Sequence, residues 1–343
     1  MDAEAAKSLH SSSLVIDTHS DSLVAHIRRG NQSMFDPDVH LGPESAVGYL
    51  RGPLDSAAQQ DEVQLNFPKM RVGGIDCAFC AVDVTRARKN HATYALDAFG
   101  FLMHNLEAHP DEVVVARTAQ DIRDAKVAGK LSVVMAVENS DGVEGSLYIL
   151  RMLYEMGVRS LGLTHNTSSW AADGNAEARS GGGLTTFGVA LVKELNRLGV
   201  VVDVSHISER GFWDVLEIAD RPILASHSNC KAVCDHPRNL TDDQIRAVAK
   251  TGGSIGVIYY KSFVDTEAPT LDRLLDHVDH IVQLVGPDHV GLGSDFDGGG
   301  TLVKDAAAVP ELTEMLAARG YGKGDLRKIL GENHLRVFEE AVG

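Results

Sequence analysis

The sequence predicts an α/β protein of the (β/α)8 TIM-barrel type, and three observations carry that expectation. Eight short apolar runs alternate with helix-like stretches along the 343 residues. Most runs are continuous rather than alternating, as suits strands buried on both faces of a parallel sheet. The alternative, a doubly wound open sheet, calls for a Gly-x-Gly-x-x-Gly turn after a strand, and none is present. Gly181-Gly182-Gly183 stands before a helix instead.

The runs occupy residues 14–18, 75–84, 132–138, 160–164, 200–205, 222–226, 254–259 and 289–294. Between them, residues 184–198 carry apolar side chains at helical spacing and end at Gly199, a residue suited to a helix C-terminus. Ser208 is placed to cap a helix running to about Ala219, with Glu209 in its first turn. Thr241-Asp242-Asp243-Gln244 has the form of a capping box for a helix to about Lys250. Residues 271–285 and 326–342 are periodic too, the latter as an extra C-terminal helix. Residues 21–74 are long for a strand-to-helix connection and contain Pro37, Pro43, Pro53 and Pro68. They are expected to form a loop-rich insertion over the active-site face, with one helix near 61–70. No linker divides the chain, so residues 1–343 are expected to form a single domain.

No apolar stretch approaches 18 residues, so no transmembrane helix is expected. The start, Met1-Asp2-Ala3-Glu4-Ala5-Ala6-Lys7, lacks the hydrophobic core of a secretion signal, which points to a cytoplasmic protein. A formal charge of −16 argues against nucleic acid or an anionic membrane as a partner. It does not exclude a small anionic substrate, because one local arginine can outweigh a distant surface field. Cys77-x-x-Cys80 has redox or zinc-motif spacing, but it sits inside an apolar run without a second such pair. Buried thiols are the better reading, and Cys230 and Cys234 are expected to be reduced as well.

Active sites of such barrels lie at the C-terminal ends of the strands. The first run ends in Asp17-Thr18-His19-Ser20-Asp21, where strand alternation would turn His19 and Asp21 the same way. The third ends in Glu138, the fourth in His165, the fifth in His206, the sixth in His227 and the eighth in Asp295. Four of fifteen histidines at the same end of separate strands, with three acids, form a metal-binding pattern. Alone, each histidine would be better read as a hydrogen-bonded structural group.

The set is too large for one tetrahedral zinc with an open position. Two metals fit it: His19 and Asp21 on one, His206 and His227 on the other, and Glu138 bridging. Two ions roughly 3.5–4 Å apart can activate a bridging hydroxide. His165 and Asp295 then remain for the chemistry. Arg238 follows the sixth run and reads either as a carboxylate fork or as a surface arginine. Trp170 and Tyr260 read either as pocket lining or as packing. The other histidines receive no role.

With these residues in place, the chain resembles the membrane dipeptidase (renal dipeptidase) family of metallopeptidases. The resemblance runs in order along nearly the whole chain. It is carried by Ile16-Asp17-Thr18-His19-Ser20-Asp21, Leu163-Thr164-His165-Asn166, Gly183-Leu184-Thr185-Thr186-Phe187-Gly188 with Glu194-Leu195-Asn196-Arg197-Leu198-Gly199, and Asp203-Val204-Ser205-His206-Ile207-Ser208. Ser226-His227-Ser228, Arg238-Asn239-Leu240-Thr241-Asp242, Gly291-Leu292-Gly293-Ser294-Asp295-Phe296-Asp297-Gly298 and Asn333-His334-Leu335-Arg336-Val337-Phe338 complete it.

The resemblance implies a barrel with two Zn2+ ions per chain that cleaves dipeptides, L-Xaa-D-Xaa members included, and a homodimer. It implies His19 and Asp21 on one zinc, His206 and His227 on the other, and Glu138 between them. It gives His165 to the scissile carbonyl, Arg238 to the substrate's C-terminal carboxylate, Asp295 to the water and leaving-group protons, and Tyr260 to a substrate contact. Mammalian members are secreted, disulfide-bonded and lipid-anchored, whereas this chain is similar to the soluble bacterial branch. Asn139-Ser140-Asp141-Gly142 follows Glu138 where some members have a Gly-Gly-His type of sequence.

Two rival readings remain. Other binuclear hydrolases (lactonases, phosphotriesterases, deaminases) commonly place His-x-His on the first strand and a bridging lysine, against His-x-Asp and Glu138 here. A non-catalytic metal- or peptide-binding barrel would have no need of Asp295 beside a complete ligand set.

Overall fold

Asp17 of β1 (Ile16–Ser20) pairs with Ala78 of β2 (Cys77–Asp83) on one side and with Leu292 of β9 (Val290–Leu292) on the other. The last strand thereby returns to the first and the sheet closes. The computed structural model describes residues 1–38, 62–86 and 89–343; the central part of the expected 21–74 insertion lies outside the described residues. The ring continues from β2 to β4 (Leu131–Glu138), β5 (Val158–Gly162), β6 (Val201–Asp203), β7 (Leu224–Ala225), β8 (Ser254–Val257) and β9, all parallel. This is the eight-stranded (β/α)8 barrel expected from the sequence. Every residue of β2 and β4 is buried, which is why their sequences run apolar without alternation.

One strand was not legible. β3 (Val113–Val115) pairs with Leu131, Ser132 and Val133 of β4, just before β5 joins the same strand at Met135. It is a three-residue appendage outside the barrel, partly exposed, and too short for periodicity to reveal.

The helix boundaries follow their caps. Thr186–Leu198 ends at Gly199 in the left-handed region. Glu209–Ile218 is capped by the Ser208 side chain, and Asp242–Lys250 opens with the Thr241–Gln244 capping box. Such a cap contributes about 1 kcal/mol. Leu271–Val285 has the expected bounds. The helix expected near 61–70 instead spans Phe67–Gly73, because Asn66 caps it with Pro68 in its first turn. The C-terminal stretch is broken into Lys323–Arg327, a π-helical turn Lys328–Glu332, and Asn333–Val342.

That last helix sets the polarity of the barrel. Leu335, Phe338 and Ala341 pack with Ile16, Phe79, Val201 and Leu224, residues at or near the beginnings of their strands. Phe338 meets Phe79 edge-on at 5.7 Å. Asn333 Nδ2 donates to the carbonyls of Pro287 and Val290, and His334 Nδ1 lies 2.9 Å from Ser254 Oγ. A Cβ on Gly291 would lie 2.2 Å from His334 Nε2, so only glycine fits there. The Asn333–Phe338 motif is thus the anchor of a plug at the N-terminal mouth, which leaves the opposite mouth for chemistry. No helix among the described residues is long and apolar enough to cross a membrane.

Candidate metal centre and active site

At the C-terminal mouth the strands deliver their terminal side chains inward. His19 is the penultimate residue of β1, and Asp21 follows as the N-cap position of helix Ser22–Arg28. Glu138 ends β4. His165, His206, His227 and Asp295 each lie two or three residues past their strands. His206 and Asp295 hold φ of +67° and +59°, a region that side chains other than glycine enter at a cost and that recurs at functional sites.

The structure brings five of these side chains into two overlapping groups. Ligand-capable atoms of His19, Asp21 and Glu138 lie within 4.8 Å of one another, and so do those of Glu138, His206 and His227. Glu138 belongs to both. Its Oε1 is 3.1 Å from His206 Nε2 and 3.7 Å from His227 Nε2, and its Oε2 is 3.7 Å from His19 Nε2. All five residues are buried.

The donor chemistry fits divalent cations. His19 Nε2 is buried and makes no hydrogen bond. His206 Nδ1 lies 2.9 Å from Asn166 Oδ1, an oxygen that only accepts, so Nδ1 carries the hydrogen and Nε2 is a bare lone pair. That Nε2 stands 2.7 Å from His227 Nε2. Burial holds both imidazoles well below the usual histidine range, with the Arg238 charge and the neighbouring rings acting the same way. Protonation is therefore a poor way to relieve two facing nitrogens. A shared cation is a good one, and nitrogen with carboxylate oxygen suits zinc.

Around this centre lie the remaining expected residues. His165 is half-buried and stacks on His206 with centroids 4.3 Å apart. Asp295 Oδ1 is 3.9 Å from His19 Nε2. A Cβ on Gly298 would sit 2.2 Å from Asp295 Oδ1 and 2.3 Å from Asp21 Oδ2, so the two carboxylates bracket that glycine. Arg238 is buried rather than on the surface. Its Nη2 donates to the His227 carbonyl at 3.1 Å, and its Nε has no hydrogen-bond partner. Among the described residues no carboxylate lies within ion-pair distance of it. Burial pulls the guanidinium down to about 10, opposed by the charges of Asp295 and Glu138. Phe263 packs under Arg238 and stacks on Tyr260 at 4.4 Å, which forms one wall of the mouth. Trp170 is 57% exposed rather than packed in the core.

Three further carboxylates are buried in strands of the barrel. Asp17 accepts from Ser294 N at 2.8 Å and from Ser294 Oγ, which ties the His19 strand to the Asp295 turn. Burial raises it to about 6. Asp203 ties β6 to β7 by hydrogen bonds from Ser205 and Ser226. Asp83 is the register partner of Glu138 and groups with Glu138 and His165. For Asp83 and Asp203 the sequence held a signal, a lone acid in an otherwise apolar strand, since a buried charge needs partners. The four cysteines are free and buried, as expected.

Comparison with known proteins places this geometry in context. A family model described as membrane dipeptidase (peptidase family M19) matches residues 3–342. The dipeptidase verJ of Clonostachys rogersoniana is 35% identical over 243 residues, 69% of this chain and 63% of that protein. The chain thus spans less than two thirds of that relative's length. The dipeptidase aclJ of Aspergillus oryzae is 34% identical over 292 residues, covering 80% of this chain and 69% of that protein. A crystal structure of a metallo peptidase from Rhodobacter sphaeroides, liganded with a phosphinate mimic of the dipeptide L-Ala-D-Ala, is similar with a TM-score of 0.81. It is 27% identical and covers 96% of this chain and 100% of that one.

Proposed function

The chain belongs to the membrane dipeptidase family of metallopeptidases, and from that premise we propose that it hydrolyses dipeptides bearing a free C-terminal carboxylate. Two zinc ions would be held by His19 and Asp21 on one side, His206 and His227 on the other, and Glu138 between them. The observation that carries this reading is the membership of Glu138 in both ligand groups. Such a pair of ions supplies Lewis-acid polarisation of a carbonyl and acidifies water at neutral pH.

The chain's own residues do the rest. Arg238, a buried cation, receives the substrate carboxylate, and its planar fork suits that partner. This favours dipeptides over long chains, because the carboxylate must lie one residue beyond the scissile bond. His165 hydrogen-bonds the carbonyl oxygen as it gains charge. Asp295 takes a proton from the attacking water at a carboxylate oxygen and returns it to the leaving amine. Tyr260 contacts the substrate from the Phe263 wall. The phosphinate-bound relative supports including L-Xaa-D-Xaa dipeptides. Gln64 N and Leu65 N donate to Asp297, two residues past Asp295, which supports the 21–74 segment lying over this mouth as part of one domain. Four free cysteines support a cytoplasmic location.

Metal analysis combined with a panel of L,L and L,D dipeptides tests the reading. The expected result is two zinc ions per chain and hydrolysis of at least one class. Two ions with no dipeptide turnover would favour a different binuclear hydrolase, and no metal a binding protein.

A further inference from the structure

We propose that Asp203 and Ser226 are positioning residues that fix the tautomer of His227, turning the lone pair of Nε2 into the mouth. The inference rests on the proposed ligand role of His227 and adds two residues that act through it.

Hydrogen counting gives the polarity of the chain. Asp203 Oδ1 accepts from Ser205 N at 2.9 Å and from Ser226 N at 3.0 Å. Its Oδ2 accepts from Ser226 Oγ. A serine hydroxyl has one hydrogen, and here it is spent on the carboxylate. Ser226 Oγ lies 2.8 Å from His227 Nδ1, so in that contact the hydroxyl can only accept. Nδ1 therefore carries the hydrogen and Nε2 is bare. Ser205 completes the arrangement: its Oγ accepts from His227 N at 3.1 Å and, 3.3 Å from Ser226 Oγ, is free to donate to it.

Asp203 also groups with His19 and His227 at ligand distances, which raises the alternative of a direct metal ligand. Both its oxygens are already engaged by three hydrogen bonds to β6 and β7 neighbours. It is better placed to act through Ser226, as outer partners of metal-binding histidines commonly do.

Asp203→Asn separates the two roles. The asparagine carbonyl would keep the two backbone hydrogen bonds and put its NH2 toward Ser226 Oγ. The hydroxyl would then accept from the amide and donate to His227 Nδ1. That would move the imidazole hydrogen to Nε2, where it faces the metal position.

The test is a 15N NMR tautomer measurement on metal-free protein, with His227→Gln to assign the signal, alongside zinc titration against a competing chelator. Wild type should show Nδ1–H. Asp203→Asn should show Nε2–H and bind one of its two zinc ions about 10–100-fold more weakly, the other unchanged. Ser226→Ala, a smaller change, should lose the single tautomer if Asp203→Asn does not fold. An unchanged Nδ1–H tautomer in either variant would overturn the relay. So would zinc loss in Asp203→Asn without a tautomer change, which would make Asp203 a ligand. If wild type binds no zinc, the metal reading fails, and the tautomer result still decides the relay on its own.

Discussion

His206 Nε2 and His227 Nε2 stand 2.7 Å apart, delivered by neighbouring strands whose register is fixed by the pairing of Asp203 with Leu224. If one ion joins these nitrogens, His206→Gln and His227→Gln should each lose the same single zinc. The double variant should lose no more than either. Elemental analysis of the three proteins checks this, and additive loss of both ions would separate the two histidines.

Asp295→Asn should lower kcat by about 10²–10⁴-fold, the usual contribution of a general acid–base group, with both metals retained. Steady-state kinetics with parallel metal analysis is the measurement. A variant at wild-type rate would remove Asp295 from proton transfer.

Arg238→Ala should lower kcat/KM for dipeptides roughly 10- to 100-fold, the range of a charge-assisted hydrogen bond. Amidating the substrate's C-terminus should cost the wild-type enzyme a similar factor and the variant little. An amidation penalty that persists undiminished in Arg238→Ala would place the carboxylate elsewhere.

Gly298→Ala introduces a Cβ 2.2 Å from Asp295 Oδ1 and 2.3 Å from Asp21 Oδ2. Both carboxylates would have to move, and a displacement near 1 Å at a reacting group costs on the order of 10²-fold. Activity should fall far more than thermal stability. A fully active Gly298→Ala enzyme would show that these carboxylates tolerate displacement.

Metal-free protein should gain stability as pH rises from 5 to 7 and level off above. Burial holds His277 at about 4 and His334 at about 3, and lowers His10 and His26 as well. Near their ordinary value of 6.5 the unfolded chain binds protons that the folded one refuses, so stability is lost as pH falls through that range. Asp17, raised to about 6, works in the opposite direction and offsets part of the effect. A melting temperature that falls between pH 5 and 7 would contradict the balance.

The barrel was legible because strands buried on both faces leave continuous apolar runs, and His19, Glu138, His206 and His227 were legible because each stands at the end of one. Asp21 was found for a partly mistaken reason. It stands at the N-cap position of the following helix, with no capping hydrogen bond from its side chain, and does not continue the extended backbone of β1. β3 escaped because three valines, one buried and two half-covered, carry no period. Asp203 and Asp17 escaped because their work is done across strands, on Ser226 and Ser294, and nothing local in the sequence names those partners. The bracketing of Gly298 by Asp21 and Asp295 likewise depends on side chains from opposite ends of the chain.

The central claim is that Glu138 joins two metal positions. Crystals of the zinc-loaded protein, measured at the zinc absorption edge, test it directly. Two anomalous peaks flanking the Glu138 carboxylate, roughly 3.5–4 Å apart, are the predicted result. A single peak, or two that do not share Glu138, would contradict it.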